Sequence, residues 1–336
     1  MLSGPQARSR PLAAHAAAGA IALLAAAYTY YCLATTVIPS DFEFWWRAAR
    51  LYLAGGDPYL QLPGTPAWPL PDRFYYPMPT VLATIPVAWM PLPAAGATLM
   101  GLASGALASL LVRGGWWRLW ALAGPGFIMA LKFGQWTPLL CVAYLAPRAG
   151  GLAVLKPTLG AALLAARWNV RGALVATLVA LLSVAALPTW PMAWLRNLDH
   201  VHAHPAPVTT AIGAFALLAL LRWRRPEAWL LALYACVPQL LFFADQLPLA
   251  LVARTKGEAQ LLAACGLTAW LVWMARLETG DLFVLAAAPY VLVGLYLPAL
   301  LLVLRRPNDG ALPVWADAAW MRSRALVARA RVARVR

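Results

Sequence analysis

Between two long apolar runs, residues 40–60 read SDFEFWWRAARLYLAGGDPYL. Here Asp41, Glu43 and Asp57 stand beside Arg47, Arg50 and a tryptophan pair, in a chain with few other polar positions. Ser40 followed by Glu43 has the Ser-x-x-Glu spacing of a capping box, which starts a helix, and Gly55 with Gly56 stops it. On that helix Glu43 faces Arg47 at i+4 and Arg50 at i+7, worth about 0.3 kcal/mol per pair. Phe42, Trp46, Ala49 and Leu53 are expected to form the apolar side, giving a short amphipathic helix that lies in an interface rather than crossing it. Asp41 falls on neither stripe, and its neighbours are Trp45, Ala48 and Tyr52. A carboxylate next to aromatic planes suits a carbohydrate, since the carboxylate takes a hydroxyl proton while ring faces pack on sugar C–H surfaces. A negative charge at a helix N-terminus is also favoured for its own sake, so the same residue suits a plain cap.

Other polar positions are scattered along apolar sequence. Lys156 precedes Pro157 within AGGLAVLKPTLGAALLAA, where a buried ionisable group at a helix break is a functional candidate and snorkelling to an interface the alternative. Gln239, Asp245 and Gln246 lie in VPQLLFFADQLP, with no partner for Asp245 evident in the sequence. Asp57 precedes Pro58 and is held extended, which fits an Asx-type turn or a hydrogen bond to a sugar hydroxyl. His200, His202 and His204 alternate in DHVHAHP, the spacing of one side of an extended strand. Three histidines could hold Zn²⁺, but with the neighbouring prolines a single histidine such as His202 touching a phosphate or an acceptor is the better reading. No Asp-x-Asp pair marks a divalent metal, and metal independence is expected.

These residues must be positioned by a membrane protein. The chain is 62% hydrophobic and 12% charged, about half the charged share of a soluble domain. Apolar runs near the 20 residues that span ~30 Å of hydrocarbon recur from residue 12 to residue 304 and give about nine to eleven crossings. Backbone groups in lipid must be satisfied locally, so the expected fold is all-α, a polytopic transmembrane bundle. The membrane domain is read as residues 1–304, with outer loop 39–75 carrying the short interfacial helix, and residues 305–336 as a basic cytoplasmic tail. The net charge of +15 does not indicate nucleic acid, because the arginines cluster at the ends of apolar runs as the positive-inside rule requires. The four cysteines lie singly in apolar sequence without metal-ligand spacing.

With Arg8 and Arg10 inside, the first helix delivers 39–75 to the outer face, and 188–207, rich in Trp and Pro, is a second outer loop. Parity does not close simply. Arg148 and Arg167 bracket one apolar stretch, and Arg225 and Arg254 another. If both ends of each are cytoplasmic, each stretch turns back, at Lys156-Pro157 and around Asp245, and those turns are candidate cavity walls; the alternative is that the positive-inside rule fails at one of these arginines.

An Asp directly after the first apolar run, then WWRAARLYLAGGDPYL and FYYPMPTVLATIPVAWMPLP, resembles glycosyltransferase family 87, polyprenol-phosphate-mannose-dependent mannosyltransferase-like proteins of the C-type superfamily. The resemblance rests on Asp41, Gly55, Asp57, Pro58, Tyr59, Tyr76, Pro77 and Pro79, and on Gly134-Gln135 and Lys156-Pro157 further on. It covers the first half of the chain well and the second loosely, with YPMP standing where Tyr-Pro-Pro is more usual. It implies a C-type fold in the cell membrane. It implies transfer of a hexose, mannose by default, from a polyprenyl-phosphate sugar to a lipid or glycan hydroxyl on the outer face, with inversion and without a cofactor. Asp41 is then the general base, and Trp45, Tyr52, Asp57, Tyr59, Tyr76, Gln135, Lys156, His202 and Asp245 are candidates for substrate contact. A transporter or flippase of lipid-linked sugars, and a catalytically silent paralogue, are the alternatives. The absence of a Walker or Rossmann glycine motif argues against nucleotide-sugar chemistry.

Overall fold

The computed structural model describes residues 6–36, 40–62, 73–198, 204–276 and 285–310. Among these the regular structure is helical throughout, with no strand. Helix α1 (Gln6–Thr35) runs beside the first apolar run's partner, Leu92–Arg113, and between them in sequence come α2 (Asp41–Leu53), α3 (Pro58–Gln61) and α4 (Met78–Thr84), so Leu92–Arg113 is α5. Three helical segments are long and apolar enough to cross a membrane: Leu12–Thr35, Leu92–Arg113 and Lys256–Ala275. A fourth arises if Val170–Ala186 and Trp190–Leu198, bent by 99° at their junction, form one span. The chain is therefore an all-α membrane protein. Continuous helices alone do not reach the nine to eleven crossings expected, because Pro and Gly break most apolar runs into pieces such as Pro125–Phe133 (α6), Thr137–Leu145 (α7) and Pro157–Ala166 (α8).

The seam between α1 and α5 is built from small residues. A Cβ added at Gly101 would meet the Ala22 carbonyl oxygen and Ala26 Cβ at 3.0 Å, and one at Gly105 would meet Ala22 Cβ at 3.0 Å. In lipid, where burial of apolar surface gives no drive for helices to associate, such close backbone approach is what holds them together. The opposite side of α1, with Leu23 and Leu24 more than two-thirds exposed, faces outward.

At 13 residues, about 20 Å, α2 is too short to cross a membrane. Ser40 caps it as expected: its hydroxyl accepts the Glu43 N–H at 3.1 Å. The reciprocal half of the box is not made, because Glu43 turns to Arg47, with contacts of 2.9 and 2.7 Å. Gly55, at φ +82°, follows the helix end, a conformation that glycine adopts without strain. Arg50 lies over the Trp46 ring at 4.7 Å rather than joining Glu43. The buried side also differs from the expected one. It comprises Phe42, Phe44, Trp45, Ala48 and Ala49, while Leu53 is exposed and Trp46 half-buried, its indole N–H donating to the Met90 carbonyl at 3.0 Å. The difference arises because α2 packs against α4 and α5, so protein rather than one lipid-facing stripe covers it.

The two expected reversals are present. Residues 147–155 form a 3-10 segment that packs against α8 across the break at Lys156. The ends of this hairpin meet: Arg167 Nη1 donates to the Tyr144 and Leu145 carbonyls at 3.1 and 3.3 Å. After α9 (Val170–Ala186), α10 (Trp190–Leu198) and α11 (Ala211–Ala214), the helix α12 (Pro226–Cys236) begins the second reversal. It passes through a one-turn 3-10 segment at Phe243–Asp245 and returns along Leu247–Val252. Its base is closed by Arg254, which meets Glu227 at 2.6 Å. Arg306 clamps the same carboxylate at 2.6 Å and reaches Glu258 at 2.6 Å.

Candidate functional site

The tips of the two hairpins meet. Lys156 Nζ lies 2.6 and 2.8 Å from the two carboxylate oxygens of Asp245. They border a cavity of about 340 Å³ lined mainly by apolar surface, with Asp41, Tyr76, Gln135 and His204 contributing the other titratable or amide groups beside Tyr75 and Gln239.

Each polar group is placed by a chain break. Asp41 is the first residue of α2. Gln135 follows Gly134, whose φ of +68° ends α6 and whose missing side chain leaves room for the Phe42 ring, 3.2 Å from where a Cβ would sit. Lys156 takes an extended conformation (φ −140°, ψ 82°) before Pro157, and the Leu155 carbonyl beside it accepts the Thr80 hydroxyl at 2.8 Å. Asp245 is held through its neighbours, with Thr137 donating to the Ala244 carbonyl at 2.9 Å and the buried Tyr234 hydroxyl donating to the carbonyl of Asp245 itself. Behind it, the amide of Gln246 donates to Gln239 at 3.0 Å.

A polar chain links the two carboxylates. Asp41 accepts hydrogen bonds from the Tyr76 hydroxyl on one oxygen and from the Gln135 amide on the other. The Gln135 carbonyl oxygen in turn accepts from Lys156 at 3.4 Å, which orients the amide with its N–H₂ towards Asp41. Burial pushes the Asp41 carboxyl above its ordinary range; the Lys156 charge, the Tyr76 hydroxyl and the Gln135 amide pull the other way, while the Asp245 charge adds to the rise. Such a group is a carboxylate with raised basicity, held as an acceptor by two donors, at the edge of a space large enough for a sugar ring.

Of the residues expected to touch substrate, Tyr76, Gln135, Lys156 and Asp245 line the cavity with Asp41. Trp45, Tyr52, Asp57 and Tyr59 do not. Trp45 is fully buried and stacks on Trp136 with ring centroids 4.3 Å apart, in the core rather than in the wall of the cavity. The Tyr52 hydroxyl donates to the Ala186 carbonyl at 3.1 Å and ties α2 to α9. Asp57 caps α3 through the Tyr59 N–H at 2.8 Å, the turn role weighed for it above. Tyr59 donates to the Tyr76 carbonyl at 2.9 Å and so fixes the segment that carries Tyr76. His202 and His200 lie outside the described residues; His204, which is described, lines the cavity. Among the described residues no three His, Cys, Asp or Glu side chains converge as metal ligands.

Two features went unread in the sequence. Trp194 and Leu198 bring α10 over the cavity, with Trp194 donating to the Tyr75 carbonyl at 2.8 Å and Asn197 to the Phe74 carbonyl at 2.8 Å. Thr158 places the N-terminal turn of α8 at the cavity, where backbone N–H groups without helical partners favour an anion. The Trp and Pro content of 188–198 signals an interfacial segment and gives no hint of which surface it covers.

Fold and cavity together define a helical membrane protein with a mainly apolar cavity that holds a few polar groups at the meeting point of two chain reversals. No family model, curated protein or solved structure matches the chain.

Proposed function

We propose that the protein is an integral-membrane glycosyltransferase that moves a hexose, mannose by default, from a polyprenyl-phosphate sugar to an acceptor hydroxyl on the outer face of the cell membrane. The observation that carries this reading is Asp41 at the cavity, an acceptor fixed by Tyr76 and Gln135 with the Lys156 ammonium one amide away. In the reaction Asp41 takes the proton of the acceptor hydroxyl, the acceptor oxygen attacks the anomeric carbon from the face opposite the phosphate, and the sugar–phosphate C–O bond breaks with inversion. Polyprenyl phosphate leaves with the bonding pair. Lys156 and the N-terminus of α8 line the same cavity, and a cation and oriented dipoles are what that developing charge needs. The resemblance of the stretches around Asp41, Asp57, Tyr76, Gln135 and Lys156 to glycosyltransferase family 87 is in keeping with the same reading.

The test is transfer of labelled sugar from polyprenyl phosphate in membranes carrying the protein. Asp41→Asn is expected to abolish transfer while the protein remains folded, and full activity in that variant overturns the assignment. The meeting of two reversed chain segments also suits a transporter of lipid-linked sugars. Movement of such a lipid across proteoliposomes without any new glycosidic bond would decide for it.

A further inference from the structure

The cavity lining is short of positive charge. Asp41 and Asp245 are both carboxylates, and among the described lining residues Lys156 is the single permanent cation. An ammonium has three N–H donors. Here two directions go to Asp245, at 2.6 and 2.8 Å, and the third points at Gln135, at 3.4 Å. Both residues line the cavity, and Asp245 is the more deeply buried of the two, with 2% of its side chain exposed against 18% for Lys156. Beside it the first turn of α8 offers backbone N–H groups to an anion.

We propose that Asp245 is an internal stand-in for a phosphate: it holds Lys156 until a ligand arrives and yields it to the phosphate group of a polyprenyl-phosphate ligand. This rests on the glycosyl-transfer reading, whose donor and product both carry that group. Exchange keeps the lysine compensated in both states, at the cost of leaving the buried Asp245 without its counter-ion while the ligand is bound. It also gives product release a driving force, since Asp245 recovers its partner as polyprenyl phosphate departs. Asp245 is thus a positioning residue that competes with the ligand, and its removal has a sign opposite to that of an ordinary binding residue.

The experiment measures binding of three probes to the purified full chain in detergent: farnesyl phosphate, inorganic phosphate and phosphatidylglycerol. Asp245→Asn keeps an acceptor for Lys156 but removes the competing charge. It is expected to bind farnesyl phosphate about tenfold more tightly than the natural chain while its turnover falls, a pairing that simple structural damage does not produce. Lys156→Gln is expected to lose about tenfold or more in the same assay, and supplies the reading should Asp245→Asn fail to fold. A gain confined to farnesyl phosphate identifies the lipid phosphate as ligand; a gain shared equally with inorganic phosphate or phosphatidylglycerol overturns that identification. Equal or weaker farnesyl phosphate binding by Asp245→Asn overturns the exchange and leaves glycosyl transfer standing. Absence of binding by the natural chain and both variants overturns the two together.

Discussion

Lys156 and Asp245 are 89 residues apart in the chain and 2.6 Å apart in space. Each sits where an apolar stretch reverses, so their pairing joins two hairpins at their tips and forms part of the wall of the cavity that Asp41 borders.

The bridge between the two carboxylates is a single amide. Gln135→Ala removes a donor to Asp41 and an acceptor for Lys156 together. We expect kcat to fall by about 10- to 100-fold with KM for the donor changed far less, as for groups that orient a reactive side chain. Steady-state kinetics with labelled donor checks this, and a fall in affinity alone would contradict it.

The raised Asp41 carboxyl has two consequences with defined signs. Activity requires the deprotonated base, so the acid limb of the pH–rate profile should lie above the ordinary carboxylate range. For stability, the folded state holds this proton more tightly than the unfolded chain. The contribution is therefore present below the unfolded value of about 4 and is lost as pH rises through the folded value. Thermal unfolding in detergent should show the natural chain losing stability relative to Asp41→Asn over that interval. A gap that stays constant with pH would be inconsistent with the buried carboxylate.

Gly134 is constrained twice, by its left-handed backbone and by the Phe42 ring against it. Gly134→Val should cost about 1–3 kcal/mol from the backbone alone, and should displace Gln135 enough to lower turnover in whatever protein folds. A variant with unchanged melting temperature and unchanged rate would refute both constraints.

Along α1 and α5 the contact is backbone to small side chain. Gly101→Leu forces bulk against the Ala22 carbonyl, 3.0 Å from the position of a Cβ, and is expected to destabilise by about 1–3 kcal/mol. Gly257→Ala, at a glycine with open space around it, serves as the control and should change little. Unfolding in denaturant distinguishes the two.

Much of this arrangement was legible in the sequence, because its determinants are local. Ser40 and Gly55 bound α2 by capping chemistry, Pro157 breaks the chain at Lys156, and the arginines at 148, 167, 225 and 254 allow two reversals as one of two ways to close the topology. What could not be read were quantities set by contacts distant in the chain. The buried side of α2 depends on α4 and α5, and Trp45 looks like a sugar platform until Trp136 covers it. Tyr59 likewise offers a hydroxyl to solvent in sequence, and spends it on the Tyr76 carbonyl in the fold. Asp245 lacked a partner for the same reason, since the lysine it meets belongs to a different hairpin.

That last separation has a bearing on how the chain is made. Lys156 leaves the ribosome 89 residues ahead of its counter-ion, roughly five to twenty seconds at ordinary rates of synthesis. Through that interval the partners already made are Gln135, at 3.4 Å in the finished fold, and the Asp41 carboxylate that Gln135 holds. The first hairpin therefore acquires its ion-pair partner only once the second has been synthesised.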